Sequence, residues 1–554
     1  MRLLRPGGEE GLPAGPRGRQ EEPEEARREA GRFYLGRYLR PGKMKKNGTD
    51  FDAAVIGGGL GGLAAGALLA RRGYKVFLAE RNETVGGNAS VVRRGGYSFE
   101  RALHQVYGLG SPGTPSAALL KEIGVDRKVE FIKLPAFMEV VFPGLRFTFP
   151  ADSGELEAAL CRRFPAERAA IIRMLDQGRS LYQMDRLMKF GSWKDRLKDC
   201  ANPAAELRHA LNSAAMMRYF RSPFSDYCRE HFRDPELTAI LGGPWIYLGV
   251  PPSRASAMMM VAMMGAYTVE KTFYIRGGSS SLSEALADSI TARGGTVRTC
   301  APVRQILAGA GGAKGIMLED GTRVDARCVV SNAPARLTFN GLLAPGSVPA
   351  PYLERLRSMT TSVSALHLLI GAELDLGRLD KPPVYATSCY AGLDHDENYR
   401  LTLKGGAGSF GLCFHSLADP SQAPRGCSSL AAITMAPWRG RAYWKKNRAA
   451  QADRLLGLAE GVLPGLRRKV REMEIFDPAA IEARTGVDSG AIYGWENNIG
   501  QTLFDRLPQA APVRGLFLSG QWTCPGSGMT MAIQSGGTAA RLAAEYMGPP
   551  EKKR

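Results

Sequence analysis

The segment Phe51-Asp52-Ala53-Ala54-Val55-Ile56-Gly57-Gly58-Gly59-Leu60-Gly61-Gly62 decides how the rest of the chain is read. Its first six residues form a short apolar strand, and the glycines follow without a spacer. Leu60 to Arg72 then continues as a helix with small residues along one face. Gly73 ends that helix, and Lys75 to Glu80 reads as a second strand. Gly57-x-Gly59-x-x-Gly62 therefore stands between strand and helix, where each glycine has its own task. The first permits a tight turn, the second lets backbone approach a pyrophosphate, and the third allows helix and strand to pack closely. Leu60 and Gly61 complete the loop, and the helix N-terminus presents free N–H groups to phosphate. Glu80 closes the second strand about 20 residues on, the spacing of an acid that binds ribose hydroxyls. A glycine loop alone supports only a turn; strand, helix, second strand and acid in register make a dinucleotide site.

The residues after Glu80 separate the possible dinucleotides. An acid at that position repels the 2′-phosphate of NADP. Arg81 leads through Val85 into Gly86-Gly87-Asn88-Ala89-Ser90, a second glycine pair whose backbone can approach the cofactor again. Far along the chain, Gly515 to Met529 is an apolar strand feeding a glycine-rich turn, with Gly520, Gln521, Gly528 and Met529 at its ends. The turn opens a helix from Thr530 to Met547 that contains Gly536-Gly537. A helix N-terminus there can place N–H groups and a positive dipole end near the N1/O2 edge of a flavin, favouring its anionic reduced form. The second glycine pair, so soon after the ribose acid, resembles flavoproteins of the amine-oxidase and carotenoid-desaturase group, and that resemblance implies FAD.

Residues 1–48 are rich in Arg, Glu, Gly and Pro and hold few large apolar side chains, the composition of a disordered leader. Met44, just ahead of the first strand, is expected to be the true start. Val129 to Pro150 reads as paired strands. Glu155 to Arg163, Ala166 to Asp176 and Gly178 to Leu197 have helical periodicity, and Pro165 separates the first two. Strands are also expected at Ala365 to Leu374, Ser409 to His415 and Ser429 to Ala436, with a long helix from Tyr443 to Val462.

Among the 554 residues, 73 Lys and Arg against 54 Asp and Glu give a net charge of +19. Such an excess suits anionic partners, either nucleic acid or an acidic membrane surface, and it suits an ordinary basic solvated surface better than either. Zinc-finger spacing, an RNP-like segment and interleaved Arg and aromatics are all missing, so nucleic acid is not expected as a partner. The nine cysteines are scattered and form no C-x-x-C pair, which fits free thiols in a reducing, cytoplasmic compartment and implies no metal site. The longest apolar run, Ala255 to Val269, falls short of a membrane span. Peripheral membrane contact stays open: Gly178 to Lys198 could form a basic amphipathic helix, or an ordinary surface helix.

From Asp52 to Tyr546 the chain resembles the FAD-dependent phytoene desaturase, carotenoid isomerase and retinol saturase group. The resemblance rests on residues 55–90, Phe273 to Ser280, Val329-Val330-Ser331-Asn332-Ala333, and Gly520 to Gly537. It implies an α/β fold: a discontinuous Rossmann-like FAD-binding domain, residues 49–115, 271–345 and 486–548, with an inserted α+β substrate domain, 116–270 and 346–485. A basic tail, 549–554, follows. It also implies that Arg276, Gly277 and Gly278 help line the flavin site, and that Val303 offers backbone groups to the adenine. The segment 96–104 matches one that passes the flavin, with Glu100 where relatives usually have Asp and Ala102 where they have Gly. His104 stands where retinol-saturase-like members carry a histidine. Gln521 replaces an Asp that in many relatives binds the ribityl chain.

His104 is thus the candidate acid/base, with Glu100 and Arg276 as further candidates for positioning or proton transfer. His367 and His415 lie on apolar strands and are expected in the core. The stretch Ile240 to Val250 and residues Met258, Met259, Met260, Met263 and Met264 read equally as an adaptable wall for a long apolar ligand or as core. The expected activity is that of an FAD-dependent desaturase, saturase or isomerase acting on carbon–carbon double bonds of a long isoprenoid or polyene. The alternatives are an amine-oxidase-type flavoenzyme and a non-catalytic prenyl-binding protein of the dissociation-inhibitor type. The electron acceptor or donor is not legible.

Overall fold

In the computed structural model, which describes residues 51–102, 105–190 and 203–550, the apolar run Phe51–Ile56 is the middle of a parallel layer. It pairs with Val76–Ala79 on one side and with Arg323–Ser331 on the other. Thr296–Arg298 extends the layer beyond Val76–Ala79, and Leu516–Leu518 beyond Arg323–Ser331, all in parallel. Its neighbouring strands thus come from separated stretches of chain. The antiparallel strands Val303–Gly309 and Gly312–Leu318 continue the same sheet from Arg323–Ser331.

The helices that frame the site are α1 (Leu60–Arg71), α2 (Pro115–Ile123), α3 (Arg168–Phe190), α4 (Pro203–Met217), α5 (Ala257–Val269), α6 (Ser279–Thr291) and α7 (Met529–Met547). Helices α2, α6 and α7 all pack on α1. Leu119, Leu120 and Ile123 of α2 belong to the same buried cluster as α1 and α7. The expected division at 115/116 therefore cuts through one core. Thr114 caps α2, its side chain accepting the Ala117 N–H at 3.2 Å, and the apolar face of the helix lies on α1.

A second sheet runs Val470–Phe476, Ser364–Ala372, Ser428–Ala436, Ser409–Cys413, Ala386–Tyr390, Ala136–Phe142 and Leu145–Pro150. It is antiparallel except where Ala386–Tyr390 meets Ala136–Phe142. Helices α4 and α5 each pack on α3 beside it, and the apolar faces of the three share a core with its edge. A small sheet of Val106–Tyr107, Thr272–Ile275 and Phe131–Lys133 joins the two halves.

The expected break between Asp176 and Gly178 does not occur, because α3 runs unbroken through it. Gly178 is a contact residue: a Cβ there would lie 2.9 Å from the Val261 carbonyl of α5, and one on Gly265 would collide with Gly178 O. The glycine serves helix packing instead of ending the helix. The leader 1–48 with Met44, His104, residues 191–198 of the candidate membrane helix and the last residues of the tail lie outside the described residues.

Candidate functional site

A cavity of about 1220 Å³ runs from the Gly57 loop, past the N-terminus of α7, into a chamber between the second sheet and helices α3 to α5. Its first end is held by backbone and one carboxylate. The Gly57 N–H donates to Ala79 O at 2.8 Å, and the third glycine, Gly62, sits where any Cβ would collide with Gly57 O. Buried Glu80 accepts the Gly58 N–H at 2.7 Å on one oxygen. Its other oxygen accepts the Asn82 backbone and side-chain N–H groups, both at 2.7 Å. The Gly86 N–H donates to Gly58 O at 2.7 Å, so the second glycine pair is tied directly to the first loop.

Asn332 joins these loops to the C-terminal turn. Its N–H donates to Ile56 O at 2.8 Å. Its side-chain amide lies against Gly59, where a Cβ would come within 2.6 Å of Nδ2, and against Gly520 on the other side. Ser535 Oγ in turn accepts the Gly520 N–H at 3.0 Å. In the sequence Asn332 carries no sign of this role. Its side chain meets residues distant in sequence, and nothing local marks that.

Gly57, Gly59, Leu60, Gly61, Glu80, Arg81, Gly86, Gly87, Asn88, Val303, Gly520, Gln521, Gly528 and Met529 all line the cavity, with Gly62 directly behind it. Arg81 turns its guanidinium outward to Ala483 O. No side chain caps α7, and no acidic residue occupies its first turn, so its N-terminal backbone is aimed at the cavity with its positive dipole end uncompensated. Glycine backbone, a fixed ribose acid and a bare helix N-terminus are the donor set that FAD requires. These residues would hold it. FAD when bound supplies hydride or electron transfer.

Among the candidates for catalysis, Glu100 and Arg276 sit away from the cavity wall. Glu100 does not reach the cavity. It is fully buried and accepts from Ser279 N (2.7 Å), Ser279 Oγ (2.5 Å) and Tyr274 OH (3.3 Å), fastening the start of α6. Burial pushes its pKa up to about 7, against the opposing pull of the Ser279 bonds. Arg276, Gly277 and Gly278 do not line the cavity either. Arg276 Nε donates to Glu130 at 2.6 Å, half exposed, and the Gly277 N–H donates to Asp419 at 2.7 Å. The Arg-Gly-Gly turn therefore directs the chain into α6 from behind. Sequence alone cannot say which side of such a turn faces a ligand.

Other residues take their place in the chamber. His367, expected in the core, is buried but lines the cavity, its Nδ1–H donating to Arg101 O at 2.7 Å. His415 stays away from the cavity, stacked on Tyr274. The two readings of the methionines divide by helix face. Met258, Met259 and Met263 line the chamber, whereas Met260 and Met264 pack into the core. Thr530, in the first turn of α7, donates to Tyr107 O at 2.9 Å and so sets Tyr107 at the junction of the two ends. Tyr107 packs edge-on against Tyr267, and burial raises the Tyr247 and Tyr267 phenols, keeping them neutral. Beside them Glu270, buried at the end of α5, accepts from Tyr182 OH. In sequence Glu270 reads as an ordinary polar residue closing an apolar helix.

A dinucleotide cradle opening into an apolar, aromatic chamber defines an FAD-dependent oxidoreductase. The chain belongs to the family described as flavin containing amine oxidoreductase, whose profile matches residues 60–544. It is 27% identical over 519 residues to a phytoene desaturase (neurosporene-forming) of Rhodobacter capsulatus, covering 90% of this chain and 95% of that protein. A chloroplastic prolycopene isomerase of Daucus carota is 22% identical over 514 residues, 91% of this chain and 81% of its own length. An oxidoreductase of Methanosarcina mazei shares the fold, with a TM-score of 0.60 at 18% identity, over 88% of this chain and all of its own.

Proposed function

We propose that this oxidoreductase acts on carbon–carbon double bonds of a long apolar isoprenoid or polyene, of the carotenoid or retinoid kind, as a desaturase, saturase or isomerase. The observation that carries the reading is the chamber itself. Met258, Met259, Met263, Ile433, Met435 and Tyr493 wall it with flexible and aromatic surface, and it continues directly from the α7 end of the FAD cradle. The cavity of about 1220 Å³ extends past the cradle residues into this chamber, so an apolar ligand can lie beside the cofactor. The relatives named for carotenoid substrates support the same class. In this reading residues 49–115, 271–345 and 486–548 serve the cofactor, 116–270 and 346–485 serve the substrate, and α2 belongs with the former. The groups placed to hold or move a proton in the chamber are His367 and Glu270. Scattered cysteines favour a reducing, cytoplasmic compartment.

The chamber opens beside α4. Leu207, Leu211 and Met217 on that helix and Phe504 nearby are exposed, and Met217 and Phe504 also line the cavity. Arg208, Arg218 and Arg221 stand exposed on and beside that helix, each paired with a carboxylate, of Asp176, Glu230 and Asp505 respectively. An exposed apolar mouth suits a membrane surface, where long apolar substrates dissolve, and the net charge of +19 favours an anionic one. Among the described residues no helix is long and apolar enough to cross a membrane.

A second reading has one observation behind it: a carboxylate such as Glu270 inside the chamber could hold an ammonium group, as an amine substrate would need. Anaerobic mixing of the holoenzyme with polyenes and with amines separates the two. Flavin bleaching by polyenes, or polyene turnover detected in extracted lipid, supports the proposal; bleaching by amines alone overturns it.

A further inference from the structure

Arg506 is 2% exposed and ranks among the largest fully buried side chains of the protein. Its guanidinium donates to Gln521 O at 2.6 Å, Trp495 O at 2.8 Å and Asn497 Oδ1 at 2.5 Å. All three acceptors are neutral, and among the described residues no carboxylate forms an ion pair with it. Its Nε makes no hydrogen bond within them either. Burial lowers its pKa only to about 10, so the group remains a cation at neutral pH. A buried cation without a counter-charge is costly to keep, and uncharged acceptors offset that cost only in part.

The position of Arg506 shows where the missing charge belongs. Gln521, Trp522, Pro525 and Ser527 line the cavity, and so does Asn497, whose amide donates to Leu248 O at 2.8 Å and Ser527 Oγ at 3.3 Å. The guanidinium therefore lies one residue behind the cavity wall formed by the 520–528 turn. The uncapped N-terminus of α7 follows that turn directly. Two positive elements converge on one end of the cavity, with no protein anion among the described residues opposing Arg506.

The geometry points to Arg506 as a fixed cation that stabilises negative charge on the reduced form of bound FAD, acting through the wall it braces. It is a positioning residue, since it touches the wall and not the cofactor. The inference needs FAD in the cavity and no particular substrate, so it stands apart from the polyene proposal. Its effect is electrostatic preorganisation: a charge held in place by hydrogen bonds and waiting for the charge that develops.

The test is the midpoint potential of bound FAD in the intact holoenzyme, for wild type, Arg506→Lys and Arg506→Gln. Arg506→Gln is expected to lose at least tenfold in preference for reduced over oxidised FAD, a fall of about 30 mV for a two-electron couple. Arg506→Lys keeps the charge and is expected to retain most of the wild-type potential, even where both variants lose thermal stability equally. No shift in either variant would overturn the assignment, because bracing the wall or contacting the pyrophosphate weakens both redox states alike; equal shifts in the two would overturn it as well, because Arg506→Lys keeps the charge. If the variants do not fold, the wild type decides. Apoprotein reconstituted with FAD must hold the reduced form at least tenfold more tightly than the oxidised form, and equal affinities overturn the inference.

Discussion

Single residues carry the cofactor site more than the glycine pattern suggests. The Asn332 amide packs between Gly59 and Gly520 while its backbone N–H bonds the first strand, so one side chain holds the two phosphate-side loops in place. Asn332→Leu should strip FAD from the protein on gel filtration. Losing a buried polar contact costs about 1–3 kcal/mol, roughly tenfold to a hundredfold in affinity. Glu100 makes a different prediction. Its folded pKa of about 7 lies above the ordinary value of 4.5, so the folded state favours the protonated acid. That contribution is complete below pH 4.5 and is lost as pH rises through 7, amounting to about 3 kcal/mol across the window. Melting temperature should therefore fall with pH over this range in the wild type, and Glu100→Gln should flatten the dependence. Glu80 and the glycines were legible because the Rossmann loop is a local pattern. His367 and Glu270 were not, because a buried position on a strand or at a helix end looks the same in sequence whether it faces core or cavity.

At the scale of elements, sequence reads periodicity well and purpose less well. The first strand and α1 follow directly from the apolar run, the glycines and the small-residue face. Helix α3 shows the limit: a glycine inside a helical pattern signals a possible end, yet Gly178 is there so that α5 can pass close by. Gly265→Val should force the two helices apart and lower stability by about 1–3 kcal/mol, as overpacking does. Thermal unfolding of the holoprotein checks this, and an unchanged midpoint would mean that the crossing tolerates separation. The Arg-Gly-Gly turn teaches the same lesson. Its composition marks a tight entry into α6, and only the packing shows that Arg276 faces Glu130 on the outside.

At the scale of the molecule, the chamber connects the cofactor to an exposed mouth. Replacing Leu207, Leu211 and Phe504 together by Ser should reduce co-sedimentation with anionic vesicles about tenfold. Melting temperature should not change, since these side chains are already exposed. Retention on neutral and anionic vesicles alike would show that the positive charge contributes nothing. The FAD-binding layer has a further consequence. Its parallel strands begin at Phe51 and are completed by Leu516–Leu518, and α7 then packs on α1. As the chain emerges from a ribosome, the N-terminal glycine loop is exposed long before the turn that completes its cradle has been made. A nascent chain lacks the turn that completes the cradle, so cofactor loading awaits nearly all of translation.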